Sequence, residues 1–264
     1  MKIKDALKIS KKLLQNHENE AVFFLCEYLA CDKSWLFLNE HYDFDEKPFF
    51  ALIDRFLQGE PFEYIFKKAS FYGLDFYMQK GVLIPRFDSE ILLELVRKEL
   101  VNNPYKKILE IGFGSGILSI VLAKLTQKKI TACDVSKKAL NLAIKNARLH
   151  KVEDLIDFRL CDFKDMQDDF DLIFSNPPYI AKNYPLDQWV LKEPKKALFG
   201  GIKGHEILEK IILFAKAKKA KCLACEFGFD QKEILHEILV KNGFEAKFYK
   251  DYQGFDRAFC AKIA

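Results

Sequence analysis

The stretch Lys107-Ile108-Leu109-Glu110-Ile111-Gly112-Phe113-Gly114-Ser115-Gly116 decides the fold. A short apolar run fits a strand buried on both faces, and a helix is expected from Ser115. Between them lie three glycines, which let the backbone turn tightly and approach a ligand closely. A dinucleotide fingerprint has the spacing G-x-G-x-x-G. Here the spacing is G-x-G-x-G and position 117 is Ile, which suits a ligand without a pyrophosphate, such as S-adenosylmethionine. A glycine-rich turn by itself is as readily only a turn.

Downstream, strand-like and helical segments alternate. Lys129–Cys133 reads as a second strand, Ser136–Leu149 as a helix, Leu155–Leu160 as a third strand and Phe170–Ser175 as a fourth. A helix (Lys203–Lys218), a strand (Cys222–Phe227), a helix (Gln231–Lys241) and two closing strands follow. Upstream, Asp88 and Ser89 can cap a helix running to about Leu100. This order predicts βαβ units and a mostly parallel α/β sheet covered on both faces.

Residues 1–66 read instead as short helices. Leu7, Leu14 and the Val22–Leu29 block carry apolar faces at helical spacing. Asp45 to Pro48 starts one helix and Gly59-Glu60-Pro61 ends it. Residues 67–85 change character: Phe71 to Tyr77 is aromatic and partly alternating, and Gly81 to Pro85 is a short apolar run. Together they predict a hairpin linking a helical domain (1–66) to a catalytic domain (86–264).

Composition narrows the class. No run of 18 apolar residues exists, so no membrane partner is expected. The first residues lack the apolar core of a signal peptide. The 7 cysteines are odd in number and scattered, which predicts free thiols in a reducing cytoplasm. The net charge is 42 − 38 = +4. Residues 1–80 hold 11 basic and 13 acidic residues, residues 81–264 hold 31 and 25, so the balance is −2 and +6. The added domain is therefore no basic clamp, and stable nucleic-acid binding is not expected.

Three further features fall at the ends of successive strands, where open α/β sheets bind ligands. Asp134 lies 134 − 112 = 22 residues after the first glycine, where an acid can accept both ribose hydroxyls. The rival reading is a helix cap, a role for which Ser136 competes. Asp162 can accept an adenine amino group and Phe163 can stack on the ring. The fourth strand runs into Asn176-Pro177-Pro178-Tyr179. Two prolines stiffen this loop. The Asn176 side-chain oxygen and the Pro177 carbonyl can each accept an N–H of a planar amine or amide, fixing it for attack on a methyl group. Tyr179 offers a ring as a wall. A bare Pro-Pro pair reads as a rigid turn; its place beside the inferred cofactor favours chemistry.

At these residues the sequence resembles the class I methyltransferases, and closely the bacterial release-factor glutamine methyltransferases. The likeness takes in Gly59-Glu60-Pro61, Gly81 to Arg86, Ser89-Glu90, Gly112 to Gly116, Asp134, Asn176 to Tyr179, Glu193-Pro194, Glu226-Phe227-Gly228 and the closing Asp251, Gly254, Asp256 and Arg257. It implies a Rossmann-like, seven-stranded, mostly parallel sheet behind a small helical substrate-recognition domain. It implies methyl transfer from S-adenosylmethionine to the glutamine side-chain nitrogen of the Gly-Gly-Gln motif in peptide chain release factors, leaving S-adenosylhomocysteine. Glu110, Gly112, Phe113, Gly114, Ser115, Gly116, Asp134, Asp162, Phe163 and Asn176 are then the expected cofactor residues, and Asn176, Pro177, Pro178 and Tyr179 the expected catalytic and glutamine-holding ones. Arg86 and Glu193 are further candidates for the substrate. No metal and a monomer are expected.

The chain departs from the family at Phe87 (usually Pro), Phe113 (usually small) and Phe163 (commonly Trp). Rival readings are a glutamine methyltransferase of a ribosomal protein, a methyltransferase of adenine or guanine amino groups, and a non-catalytic binding module. Arg86 and Glu193 also have bland readings, a salt bridge and a loop anchor. Cys222-x-x-Cys225 reads as two buried core thiols.

Overall fold

The computed structural model describes residues 1–263. It separates into two units, Met1–Lys67 and the remainder from Lys68.

The first unit is helical. It comprises α1 (Ile3–Leu14), α2 (Glu20–Leu29), α3 (Lys33–Leu38), α4 (Glu46–Leu57) and α5 (Phe62–Phe66). Buried positions recur at helical spacing: Ile3, Ala6, Ser10 and Leu14 on α1, and Phe49, Ile53 and Phe56 on α4. Phe24 of α2 is fully buried and meets the edges of Phe56, Phe62 and Phe66 at ring separations of 5.4, 5.1 and 5.4 Å. Aromatic side chains carry the largest apolar area per residue, so one such centre can hold five short helices. Asp45 caps α4 by accepting from the Lys47 amide. Beyond its end, Glu60 takes a forked pair of bonds from Arg55, at 2.8 and 2.9 Å.

The second unit opens with an antiparallel hairpin, β1 (Lys68–Phe71) and β2 (Leu74–Tyr77). Then come α6 (Ser89–Asn102), β3 (Ile108–Ile111), α7 (Ile117–Thr126), β4 (Ile130–Asp134), α8 (Lys137–Leu149), β5 (Ile156–Leu160) and β6 (Leu172–Ser175). After β7 (Ile180–Ala181), α9 (Lys195–Leu198) and β8 (Phe199–Gly201) follow α10 (Glu206–Ala217), β9 (Cys222–Glu226), α11 (Lys232–Lys241), β10 (Phe244–Lys250) and β11 (Asp256–Ile263). Seven of these strands form one sheet in the order β10-β11-β9-β6-β3-β4-β5. The five from β9 to β5 run parallel, and β10 and β11 close the edge antiparallel. Every residue of β3, β6 and β9 is buried, as central strands covered on both faces require.

The order carries a functional consequence. From β3 the chain steps outward through β4 to β5, then returns to place β6 on the other flank of β3. The direction of winding reverses between β3 and β6, and a crevice opens there at the carboxyl ends of the strands. Ile111 pairs with Ser175 across that boundary, so Gly112 and Asn176 leave the sheet side by side.

Three local expectations are corrected. The hairpin is shorter than 67–85: Gly81 to Pro85 stays outside any strand, and the hairpin belongs to the second unit. Helix α7 begins at Ile117, because Gly116 adopts a left-handed φ of 81°. Neither Asp88 nor the Ser89 hydroxyl caps α6; the Asp88 carboxylate meets Arg257 at 3.3 Å and the Ser89 hydroxyl is drawn inward. The short parallel pair β7 and β8 is too brief to leave a period in the sequence.

Candidate active site

A cavity of about 500 Å³ occupies the crevice. That is within the usual range for small-molecule sites, roughly 300–1,000 Å³. Its walls come from the strand ends: Gly112 and Gly114 after β3, Asp134 after β4, Cys161 to Lys164 after β5, and Asn176 to Pro178 after β6. Residues 81–83 and 194–197 complete it, with Ile207, Lys210 and Ile211 of α10.

The glycine loop is shaped for close approach. Gly112 and Gly114 have φ of 75° and 54°, and a Cβ on either would meet nothing within 4 Å. The space beside them is therefore open to a ligand. Gly116 serves packing: a Cβ there would lie 2.9 Å from Ala143 Cβ on α8.

Asp134 ties the loop to the sheet. One carboxylate oxygen accepts from the Gly114 amide at 2.9 Å and the other from the Ser136 amide at 2.8 Å. The capping role falls to Ser136, which accepts from Ala139 N at 3.3 Å. Burial pushes the Asp134 carboxyl up, against the backbone N–H groups that hold it down. Each oxygen keeps acceptor capacity, so a diol at the cavity edge has a place to donate.

Asn176 is half-buried. Its amide nitrogen donates to Ser89 Oγ at 2.8 Å. Ser89 donates onward to Glu226 at 2.6 Å, and the Tyr179 hydroxyl donates to the other Glu226 oxygen at 2.9 Å. Among the described residues, no donor reaches the Asn176 side-chain oxygen. Asn176 and Pro177 both line the cavity, so this stretch of wall carries two amide groups, the Asn176 side chain and the Pro177 backbone, each with an oxygen able to accept.

Several expected site residues stand elsewhere. Glu110 faces α7, not the cavity; its carboxyl accepts from the Ser119 amide at 3.2 Å and from the Ser119 hydroxyl. Complete burial pushes it up to about 7. Phe113 turns away from the cavity and packs edge-on to Phe158 at 4.9 Å, so its size is absorbed by the core. Ser115 and Gly116 also lie off the wall. The Tyr179 ring is likewise not part of the wall, because its hydroxyl is pulled to Glu226, and burial with the Glu226 charge holds its proton well above the usual range. Asp162 does line the cavity, where its carboxylate accepts from Lys164 N at 3.1 Å and pairs with the Lys164 ammonium at 3.6 Å. Phe163 does reach the cavity, braced edge-on by Phe214 at 5.3 Å. Arg86 and Glu193 are spent on each other. Glu193 also accepts the Ile84 amide at 2.9 Å, so it pins the 194–197 wall to the 81–83 wall.

Ser89 and Glu226 escaped functional reading from residue chemistry. Ser89 looked like a cap, and Glu226 entered only through the resemblance. Sequence separations of 87 and 137 residues hide their contacts. Of Cys222 and Cys225, both buried, the first meets Cys260 at 3.5 Å across the sheet. Glu99 lies close to that pair, with Lys262 at 2.9 Å from its carboxylate.

Residues 85–199 match the family model for the methyltransferase small domain, and residues 5–66 match that for the PrmC N-terminal domain. A release factor glutamine methyltransferase of Dictyoglomus turgidum is 41% identical over 218 residues, which cover 78% of this chain and 77% of that one. One of Aquifex aeolicus is 34% identical across 99% of this chain and 96% of its own.

This chain is a member of the release factor glutamine methyltransferase family.

Solved methyltransferases of low identity share its fold. A methyltransferase from Pyrococcus furiosus superposes with a TM-score of 0.55 at 21% identity, covering 80% of this chain and 96% of that one. The ribosomal protein L11 methylase of Lactobacillus delbrueckii gives 0.53 at 20%, covering 70% and 83%. Membership in the glutamine methyltransferase family also fits S-adenosylmethionine to the cavity described above, which open glycines, the Asp134 carboxylate and the Phe163 ring line together. Among the described residues no helix is long and apolar enough to cross a membrane.

Proposed function

We propose that this methyltransferase transfers a methyl group from S-adenosylmethionine to the side-chain amide nitrogen of the glutamine in a release factor's Gly-Gly-Gln motif. The observation that carries the chemistry is the unpaired Asn176 oxygen at the carboxyl end of β6, next to the glycine loop of β3. The cofactor supplies an electrophilic methyl group on a sulfonium. All else is positioning by this chain.

Gly112 and Gly114 give room for the cofactor, Asp134 accepts from its ribose, and Phe163 stacks on its adenine. An amide nitrogen is a poor nucleophile because its lone pair is delocalised into the carbonyl. The Asn176 oxygen and the Pro177 carbonyl each accept one N–H of the glutamine, which turns the lone pair toward the methyl group. Both also favour the positive charge that grows on nitrogen during attack. Oriented at about 3–3.5 Å, the two reactants need no separate base, and the proton leaves after transfer. Tyr179 acts through its hydroxyl, anchoring the tetrapeptide. The helical unit serves substrate recognition. The protein works as a monomer in the cytoplasm, without a metal and without stable nucleic-acid binding.

Purified protein with methyl-labelled cofactor should label a release factor and leave naked RNA and DNA unlabelled. Label on nucleic acid alone would assign the site to base amino groups, which the same two acceptors can also hold.

A further inference from the structure

The buried carboxylate of Glu226 sits outside the cavity wall, yet it bonds one end of the Asn176–Tyr179 tetrapeptide, Tyr179, directly and reaches the other, Asn176, through Ser89. It is 0% exposed and ends β9. Its oxygens take one bond from Ser89 and one from Tyr179. We infer that Glu226, acting through Ser89, sets which face of the Asn176 amide is turned to the substrate, and that Ser89 and Glu226 are positioning residues for methyl transfer. The inference rests on the role given to Asn176 above.

The reasoning is one of donors and acceptors. An ionised carboxylate can only accept. The single hydroxyl proton of Ser89 is therefore committed to Glu226. Ser89 has only lone pairs left for Asn176, which must present its NH₂ group to them. The Asn176 oxygen is then turned away from Ser89, toward the cavity. An amide flipped by half a turn would put an NH₂ group there. It would face the substrate NH₂ donor against donor, with no acceptor for the proton that must be held. Asparagine has near-isosteric ends, so packing alone does not choose between the two orientations; the hydrogen-bond partner does. Ser89 is 2% exposed, so water does not compete for the choice.

The rest of the surroundings keeps this chain of bonds in place. Ser89 is the first residue of α6 and its amide donates to the Arg86 carbonyl at 3.1 Å. Arg257 holds the neighbouring Asp88 at 3.3 Å and Asp251 at 3.0 Å. Burial pushes the Glu226 carboxyl up, and the Ser89 and Tyr179 hydroxyl bonds, with the Arg257 charge, act against that and favour its ionised form. At the far end of the tetrapeptide, Gln231 Nε2 donates to the Tyr179 carbonyl at 2.8 Å.

A double-mutant cycle between Ser89 and Asn176 tests the inference. Turnover of a release factor, cofactor affinity by calorimetry and melting temperature are read for Ser89→Ala, Asn176→Ala and the pair. Ser89→Ala is expected to fold, to bind cofactor within about twofold of the parent, and to lose about tenfold or more in kcat, the order of one directing hydrogen bond. In the Asn176→Ala background the same change is expected to cost nothing further, because Ser89 acts only through Asn176. Additive losses in kcat, or a Ser89→Ala enzyme with normal kcat, would overturn the inference. Should Ser89→Ala not fold, Ser89→Cys keeps the volume with a poor acceptor and is expected to show the same fall and the same lack of additivity. Normal turnover by Asn176→Ala alone would instead sink the role of Asn176 itself, a result separable from failure of the positioning step.

Discussion

Glu110 and Asp134 stand at the carboxyl ends of neighbouring strands, and they do different work. Glu110 binds only the amide and hydroxyl of Ser119, and burial carries it up to about 7. Its folded form holds a proton more tightly than the unfolded chain, so the folded state binds more protons. Stability from this group is present at low pH and falls as pH rises from about 4.5 to about 7. Glu110→Gln should flatten that part of the profile in chemical denaturation at graded pH; an unchanged slope would show that Glu110 is not the titrating group. Asp134 is tested by binding. Asp134→Ala should weaken cofactor affinity in calorimetry while the circular dichroism of the fold is kept, and unchanged affinity would mean that the ribose is held elsewhere.

Residue chemistry read Asp134 and Asn176 correctly as groups at strand ends, because a strand, a turn and a spacing suffice to put them there. The Tyr179 ring, read as a wall, and Glu110, a cofactor residue by the resemblance, both point elsewhere. In both cases the alternation of a strand or the stiffness of a loop leaves the direction of the side chain open. The direction is decided by a partner on another element, Ser119 on α7, 9 residues on, for one and Glu226 on β9, 47 residues on, for the other.

At the scale of elements, the loop after β6 is held by close backbone approaches. Gly204 has φ of 97°, and a Cβ there would lie 2.5 Å from the Tyr179 carbonyl oxygen and 2.8 Å from Gln231 Nε2. Gly204→Ala should therefore shift the tetrapeptide, lowering both melting temperature and kcat. Gly243→Ala makes the control: its φ of 82° is strained for alanine, but the new Cβ would meet nothing within 4 Å. It should cost stability, about 1 kcal/mol, and leave kcat intact. Equal kcat losses in both variants would mean that the Gly204 effect is general destabilisation. The sheet elements were legible because buried parallel strands and their helices have strong, distinct patterns. The β7–β8 pair and the Gly81 to Pro85 segment were not, since their conformation is set by the walls they join.

For the whole molecule, the charge division of −2 and +6 takes its meaning from the fold. The helical unit is matched by the PrmC N-terminal domain and the catalytic sheet by the methyltransferase small domain. Two amide acceptors at the end of β6 serve a glutamine or a base amino group equally well. Neither the cavity nor the sheet distinguishes these substrates; the family does. The measurement that tests this most directly is tandem mass spectrometry of a release factor after incubation with the enzyme and S-adenosylmethionine. The expected result is one methyl group on the side-chain nitrogen of the Gly-Gly-Gln glutamine, formed roughly a hundredfold more slowly when Asn176→Ala replaces the parent enzyme. A release factor that stays unmethylated, or one methylated equally well by Asn176→Ala, would contradict the account.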